Sequence, residues 1–335
     1  MNSWRLVLIL SFAGVFSLPG ICQQIVTGKL LVRGDETPIA YANIGIINST
    51  IGTISNGDGS FEIIIPDEHR NDSLLIAALG FDRKSFAIAE LKSPCIIYLT
   101  ENVILLHNIV VKSRKIRPAN SAVLGNKFYN ASSIYTDSIA AGSAMALLIE
   151  NKPPNLNPEL RLPYYVNNAR LRISHNSFEK FKVRVRFLSV DSLTGLPGND
   201  LVDASIIATS TMSRGWLNVD LTRFNIVIYK PAFFVAFEWL VEDEDRQIVR
   251  EQYAEFRRQF PHRVTVDTVI IDGEKTTINN WHGLRAGTAF GSSSLRSHQS
   301  LYKCYFRNNS YGTWKRSSFI LAATITVSNY SNQAR

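Results

Sequence analysis

A chain of 335 residues, 45% of them apolar and 19% charged, carries enough apolar material for about two domains of ordinary size. That composition excludes a mainly disordered polymer, and three cysteines are too few for a disulfide-stapled miniature fold. The net charge of +8 is unevenly spread: residues 1–110 hold seven Lys/Arg against ten Asp/Glu, and residues 111–335 hold 29 against 18. A mildly acidic first part therefore precedes a basic second part, and for an exported chain such a field suits anionic envelope polymers without calling for nucleic acid.

Residues 1–22 read as a secretory signal. Arg5 supplies the positive start, Leu6 to Phe16 the apolar stretch, and Ser17-Leu18-Pro19-Gly20-Ile21-Cys22 a turn with small residues at the cleavage positions. Cleavage after Cys22 leaves Gln23 first. Lipidation of Cys22 is the weaker alternative, because Ile21 stands where a small residue is wanted. The expected location is the periplasm or the outer-membrane surface, peripheral to the membrane at most. No later apolar run approaches the roughly 18–20 residues of a membrane-spanning helix. Cys95 and Cys304 remain, each in an apolar strand-like run, and are expected to be buried and unpaired; a disulfide between them is the alternative.

From Gln23 the chain is patterned as strands. Ile25–Val32, Ala40–Asn48, Phe61–Ile65, Ser73–Leu79 and Cys95–Leu99 are short β-branched runs bounded by turn formers, with Val103–Val111 closing the module. This predicts a seven-stranded sandwich over 23–111. Residues 112–124, opening with the basic, Pro-containing Lys112–Pro118, read as a linker. Over 125–335, Tyr164–Ile173, Phe178–Val190, Trp216–Leu221, Phe233–Val241, a hairpin around Asp272-Gly273, Leu301–Arg307 and Phe319–Val327 predict a larger, jelly-roll-like sandwich of eight to ten strands. One short helix interrupts it: Val249, Tyr253, Phe256 and Phe260 recur at helical spacing after Asp245, and Pro261 ends the run. The predicted fold class is all-β throughout.

Three stretches of the first module carry a resemblance: Gln24-Ile25-Val26-Thr27-Gly28-Lys29-Leu30, Thr37-Pro38-Ile39-Ala40-Tyr41-Ala42-Asn43-Ile44, and Gly52-Thr53-Ile54-Ser55-Asn56-Gly57-Asp58-Gly59-Ser60-Phe61. With Leu79-Gly80-Phe81 and the closing run Leu105–Val111, they resemble the carboxypeptidase regulatory-like domain, a transthyretin-like sandwich common in Gram-negative envelope proteins. The acidic residue usual before the closing strand is replaced here by His107-Asn108. The resemblance implies a non-catalytic accessory module and says nothing of a peptidase. In the hairpin expected at Asn56–Gly59, glycine supplies positive φ and Phe61 enters the core. The second region resembles, less securely, the β-sandwich that follows this module in short envelope proteins.

Catalytic constellations are hard to assemble. None of the six histidines is followed by Glu three positions on, and no H-E-x-x-H occurs. Gly291-Ser292-Ser293-Ser294-Leu295 lacks the second glycine of a nucleophile elbow. Asn56–Gly59 does not continue as a calcium loop, and Asp191 and Asp200 are a weak ion-binding alternative. No cofactor or metal is expected. Glu238, between Phe237 and Trp239, and Asp220 are the acids that a hydrolase alternative would use, although alternation sends Glu238 toward solvent or an arginine. The better candidate is a basic face: Lys182, Arg184 and Arg186 alternate with apolar residues, as do Arg170 and Arg172 one run earlier, so that pairing of the two runs would place five cations side by side. Trp216, Trp239, Trp281 and Trp314 are divided between sugar stacking and core packing. The expected function is non-catalytic binding or scaffolding at the cell envelope, with a glycan or protein partner; a carbohydrate-active or other hydrolase is the alternative.

Overall fold

Alternation along Ser60–Pro66 closes the first module: Phe61, Ile63 and Ile65 are buried, while Glu62 and Ile64 turn outward. The computed structural model describes residues 23–102, 118–130, 132–135, 141–271 and 274–330. The leader 1–22, the closing run 103–111, the basic residues 112–117 and the Asp272-Gly273 turn lie outside the described residues.

The first module contains β1 (Gln23–Val32), β2 (Asn43–Gly45), β3 (Gly52–Ile54), β4 (Ser60–Pro66), β5 (Ser73–Ala77), β6 (Lys84–Ala87) and β7 (Cys95–Leu99). They form a three-stranded sheet in the order β4-β1-β7, with β1 and β7 parallel, and a four-stranded sheet in the order β3-β2-β5-β6. Val26, Leu30, Ile44, Phe61, Ile63, Leu74, Ile76, Ile97 and Leu99 pack between them, as expected of a seven-stranded sandwich. One local expectation is corrected. Asn56–Gly59 is not a hairpin loop within one sheet, because β3 and β4 belong to different sheets; it is the corner at which the chain crosses between them. Gly59 sits at φ +81°, and a Cβ there would lie 2.6 Å from the Leu30 carbonyl oxygen.

The second module contains β8 (Pro118–Asn126), β9 (Ser132–Tyr135), β10 (Ala144–Glu150), β11 (Tyr164–Asn176), β12 (Phe181–Val190), β13 (Pro197–Asp200), β14 (Ile206–Ser210), β15 (Gly215–Asp220), β16 (Val227–Ile228), β17 (Ala232–Leu240), helix α1 (Asp243–Gln259), β18 (Val264–Ile271), β19 (Glu274–Trp281), β20 (Thr288–Ser293), helix α2 (Arg296–Leu301), β21 (Cys304–Arg307), β22 (Lys315–Arg316), β23 (Ile320–Leu321) and β24 (Ala323–Tyr330). One sheet runs β13-β12-β17-β10-β21-β22 and the other β23-β20-β11-β24-β8, with short strands added at their sides. Apart from those short strands and the separate β18–β19 hairpin, the pairing is nested: β8 with β24, β10 with β21, β11 with β20, β12 with β17, all antiparallel. First pairs with last and second with second-last, the wrapping of a jelly roll. The expected linker is shorter than read: from Pro118 the chain is already strand β8, held to β24 with Leu124 opposite Ile325 in the core.

Strand β17 explains the layering. Phe233, Val235, Phe237 and Trp239 enter the core between the sheets, where Trp239 stacks on Phe290 with centroids 3.7 Å apart and donates from Nε1 to the Thr288 carbonyl at 3.0 Å. Its other face, Phe234, Ala236, Glu238 and Leu240, is buried as well, because further material covers the outside of this sheet. Cys95 and Cys304 lie in separate modules and both are free; burial pushes the Cys304 thiol up to about 12. Gly59→Ala is expected to lower the stability of the first module by about 1–3 kcal/mol, from left-handed backbone strain and the Leu30 clash, read as a reduced denaturation midpoint.

Candidate functional site at the module junction

The outer face of β17 and its neighbour β12 meets the first module. Antiparallel register sets Arg184 opposite Glu238, with Arg186 two residues along the same face. Glu238 is 0% exposed and receives three guanidinium groups: Arg184 at 3.0 Å on Oε1, Arg186 at 3.2 Å on Oε2, and Arg307 of β21 at 3.6 Å on Oε2. Arg186 also clasps Asp200 with two parallel bonds, Nε to Oδ1 at 2.9 Å and Nη2 to Oδ2 at 2.6 Å. Three cations thus share two carboxylates in a nearly dry layer. Ordinarily, isolated charges so placed would be strongly unfavourable; pairing and hydrogen bonding make them tolerable.

The first module completes that solvation with neutral groups. Arg184 donates to the Tyr41 carbonyl and, at 3.2 Å, to Asn43 Oδ1. Ser310 donates to Asn43 Oδ1 at 2.8 Å and Tyr311 to the Asn43 carbonyl at 3.2 Å. Asn309, itself buried, donates to the Ser49 carbonyl at 2.9 Å and lies so close to Gly52 that a Cβ there would meet it at 2.8 Å. Beside this cluster, the crossing corner docks on the start of α1. The Gly57 amide donates to Glu242 Oε1 at 2.8 Å, Asn56 exchanges bonds with the Asp243 side chain (2.6 Å) and amide (3.1 Å), and Thr53 Oγ1 accepts from Arg246 at 2.9 Å. The helix starts two residues before the Asp245 read from periodicity: Glu242 is its N-cap, and Asp245 closes a capping box by accepting from the Glu242 amide at 3.2 Å. Lys182 pairs with Glu242 and lies over the Tyr41 ring, 5.3 Å from its centroid.

The five-cation face is therefore corrected. Arg170 and Arg172 stand on β11 in one sheet, and Lys182, Arg184 and Arg186 on β12 in the other. Arg170 lies over Trp216 at 5.1 Å and Arg172 over Tyr129 at 5.0 Å. Lys182 and Arg186 are mostly covered and Arg184 is 4% exposed, so these three form an internal seam. The two candidate acids do not meet either: Glu238 is in the arginine cluster, whereas Asp220 ends β15 in the opposite sheet and accepts from the Thr222 amide and hydroxyl at 3.0 and 2.8 Å. Those two bonds hold the Asp220 carboxyl below its usual range. Asp191 accepts through Oδ1 from Thr194 in its own loop, and Asp200 is clasped by Arg186. Of the four tryptophans, Trp239 is core, Trp216 lies under Arg170, Trp281 lies against Tyr253 and Trp314 lies under Arg307.

Between the modules the seam opens into a cleft of about 900 Å³. Pro38–Tyr41 and Ala77–Phe81 wall it on one side, Gly198–Asp200 and Tyr311 on the other, and Arg184 and Arg186 reach its floor. Sequence reasoning found the basic residues and missed this cleft, because nothing local says that Tyr41–Asn43 will cover β12. Residues 26–111 match the CarboxypepD_reg-like domain family, and the first module is a domain of that class. The turn that marks it in the sequence, Gly52 to Gly59, is also the part that docks the second module. No curated protein matches the chain.

Two outcomes are expected. Glu238→Gln leaves three guanidinium groups with one carboxylate and should lower stability by about 3–5 kcal/mol, read by urea denaturation. Burial would raise the Glu242 carboxyl, but hydrogen bonds from Lys182 and Tyr41 outweigh it and hold the group below its usual range. A carboxyl held lower when folded than when unfolded contributes fully above the unfolded value and loses that contribution as pH falls through the folded value. Melting temperature should therefore drop on acidification below about pH 4, and drop less in Glu242→Gln than in the unaltered protein.

Proposed function

We propose that this is a non-catalytic, exported cell-envelope protein that binds an extended polar ligand, an envelope glycan, in the cleft between its two modules. The observation that carries the reading is the cleft itself, walled by both modules and floored by arginines already fixed by Glu238 and Asp200. A site whose walls are locked before binding loses little ordering entropy on association. Its lining mixes aromatic rings, Phe81 and Tyr311, with charged rims at Arg83 and Asp203, a surface suited to the faces and hydroxyls of sugars. Export rests on the Arg5 to Cys22 leader pattern, and the envelope setting on the habitual company of the first module's class. Glu238 and Asp220, the candidate acids of the hydrolase alternative, belong to different sheets, which supports the non-catalytic reading.

The test is a glycan array probed with the protein in low and high salt. Binding is expected, and Arg83→Ala and Asp203→Ala, both at the cleft rim, should weaken it roughly tenfold. A blank array with capture of an envelope protein that Arg83→Ala abolishes would move the ligand from glycan to protein, and turnover of any polysaccharide would overturn the reading.

A further inference from the structure

The jelly roll has a second outer face, on the sheet that holds β11 and β15 and away from the junction. In β11, Ala169, Leu171 and Ile173 enter the core, and in β15 so do Leu217 and Val219. Alternation therefore sends Arg170 and Arg172 outward beside Trp216 and Asn218, with Asn218 opposite Arg170 and Trp216 opposite Arg172. The two arginines stand about 7 Å apart along one strand. Arg214, exposed at the head of β15, adds a third cation.

None of these three guanidinium groups takes part in an ion pair or hydrogen bond among the described residues, whereas Arg184, Arg186, Arg246 and Arg258 are each paired with a carboxylate. The single acid in β11 or β15 is Asp220, at the far end opposite Asn168, where Thr222 holds its Oδ1. Aromatic rings hold the cations in place without neutralising them: Arg170 lies over Trp216 and Arg172 over Tyr129. Gly291 makes room for the second stack, since a Cβ there would lie 2.5 Å from Arg172 Cγ and 3.1 Å from the Tyr129 ring. Of the Arg172 nitrogens only Nε is enclosed without a partner, and both Nη groups stay open. A guanidinium lying flat on a ring keeps its N–H edge for a ligand and loses little freedom when an anion arrives.

Three free cations call for an anionic partner, and their surroundings select its kind. Neither β11 nor β15 exposes a large apolar side chain, so these strands lack both the apolar centre of a protein interface and the inserting residues of a membrane surface. They offer instead an exposed amide, Asn218, whose side chain has no hydrogen-bond partner among the described residues. We propose that this face binds an acidic polysaccharide laid along β11, its uronate carboxylates taken by Arg170 and Arg172 and its hydroxyls met by Asn218. Planar guanidinium forks match carboxylates, and a side-chain amide can both donate to and accept from a hydroxyl. The face shares no residue with the cleft at the junction, so either can fail without the other.

The test is binding of the protein to immobilised polygalacturonate across a salt series, with polyglutamate, dextran and phosphatidylglycerol vesicles alongside. Saturable binding to polygalacturonate is expected, weakening as salt rises, with none to dextran. Arg170→Gln and Arg214→Gln, both at exposed positions, should each weaken it roughly fivefold, and Asn218→Ala about twofold. Arg258→Gln, an equal loss of charge on α1, should leave it unchanged. Polyglutamate, which carries carboxylates without hydroxyls, should bind roughly fivefold more weakly than polygalacturonate. Polyglutamate or vesicles binding as tightly as polygalacturonate overturns the proposal, because charge alone would then suffice. So does the absence of saturable binding, or an equal loss in Arg170→Gln and Arg258→Gln.

Discussion

One carboxylate in the middle of an aromatic strand sets the terms for the second module and for how the first sits on it. Glu238 is wholly buried and is shared by Arg184, Arg186 and Arg307, while Asp200 closes the other side of Arg186. Such a layer becomes tolerable as its edges are given hydrogen-bonding partners, because charge transferred from water without one is strongly unfavourable. The outside of the sheet thus needs a cover that is polar at the right atoms and apolar elsewhere. Tyr41, Asn43 and Ser310 supply the polar atoms. Trp314 and Tyr305, packed on Phe234 and Ala236, supply the apolar remainder.

The charges of the two modules are not what join them. Every ion pair among the described residues lies within one module, although the first part of the chain is acidic and the second basic. Across the junction the first module offers neutral dipoles: the Tyr41 and Ser49 carbonyls, the Asn43 and Asn56 amides, the Gly57 N–H and the Thr53 hydroxyl. Hydrogen bonds from neutral groups to charged ones are stronger than neutral pairs and carry no second desolvated charge. A junction built in this way is directional, and it holds the walls of the cleft in one arrangement.

The Gly52–Gly59 segment serves two structures at once. Within its own module it carries the chain from one sheet to the other, with Asp58 accepting from the Ser60 amide at 2.9 Å and Gly59 in the left-handed region. Toward the second module the same corner presents Asn56 and Gly57 to the start of α1, where unpaired helical amides and the acidic residues Glu242 and Asp243 favour such partners. The motif by which this domain class is recognised is here also a docking surface.

Local chemistry was enough to read much of this chain. Alternation at Phe61–Ile65 marked a strand and its buried face, the apolar run Phe233–Trp239 marked a strand, the spacing of Val249, Tyr253, Phe256 and Phe260 marked the helix, and Asn56–Gly59 marked a turn, since each depends on residues a few positions apart. Strand partnership and the junction belonged to the tertiary structure. Arg170 and Arg172 looked like neighbours of Lys182, Arg184 and Arg186 because their strands follow one another, but jelly-roll wrapping sends consecutive strands β11 and β12 to opposite sheets. Glu238 could be seen to point away from Phe237 and Trp239; that it would meet three arginines beneath Tyr41 and Asn43 required contacts between residues 50 to 200 positions apart. Alternation gives a side chain its direction, and only the closing of sheet on sheet and module on module decides what stands there to receive it.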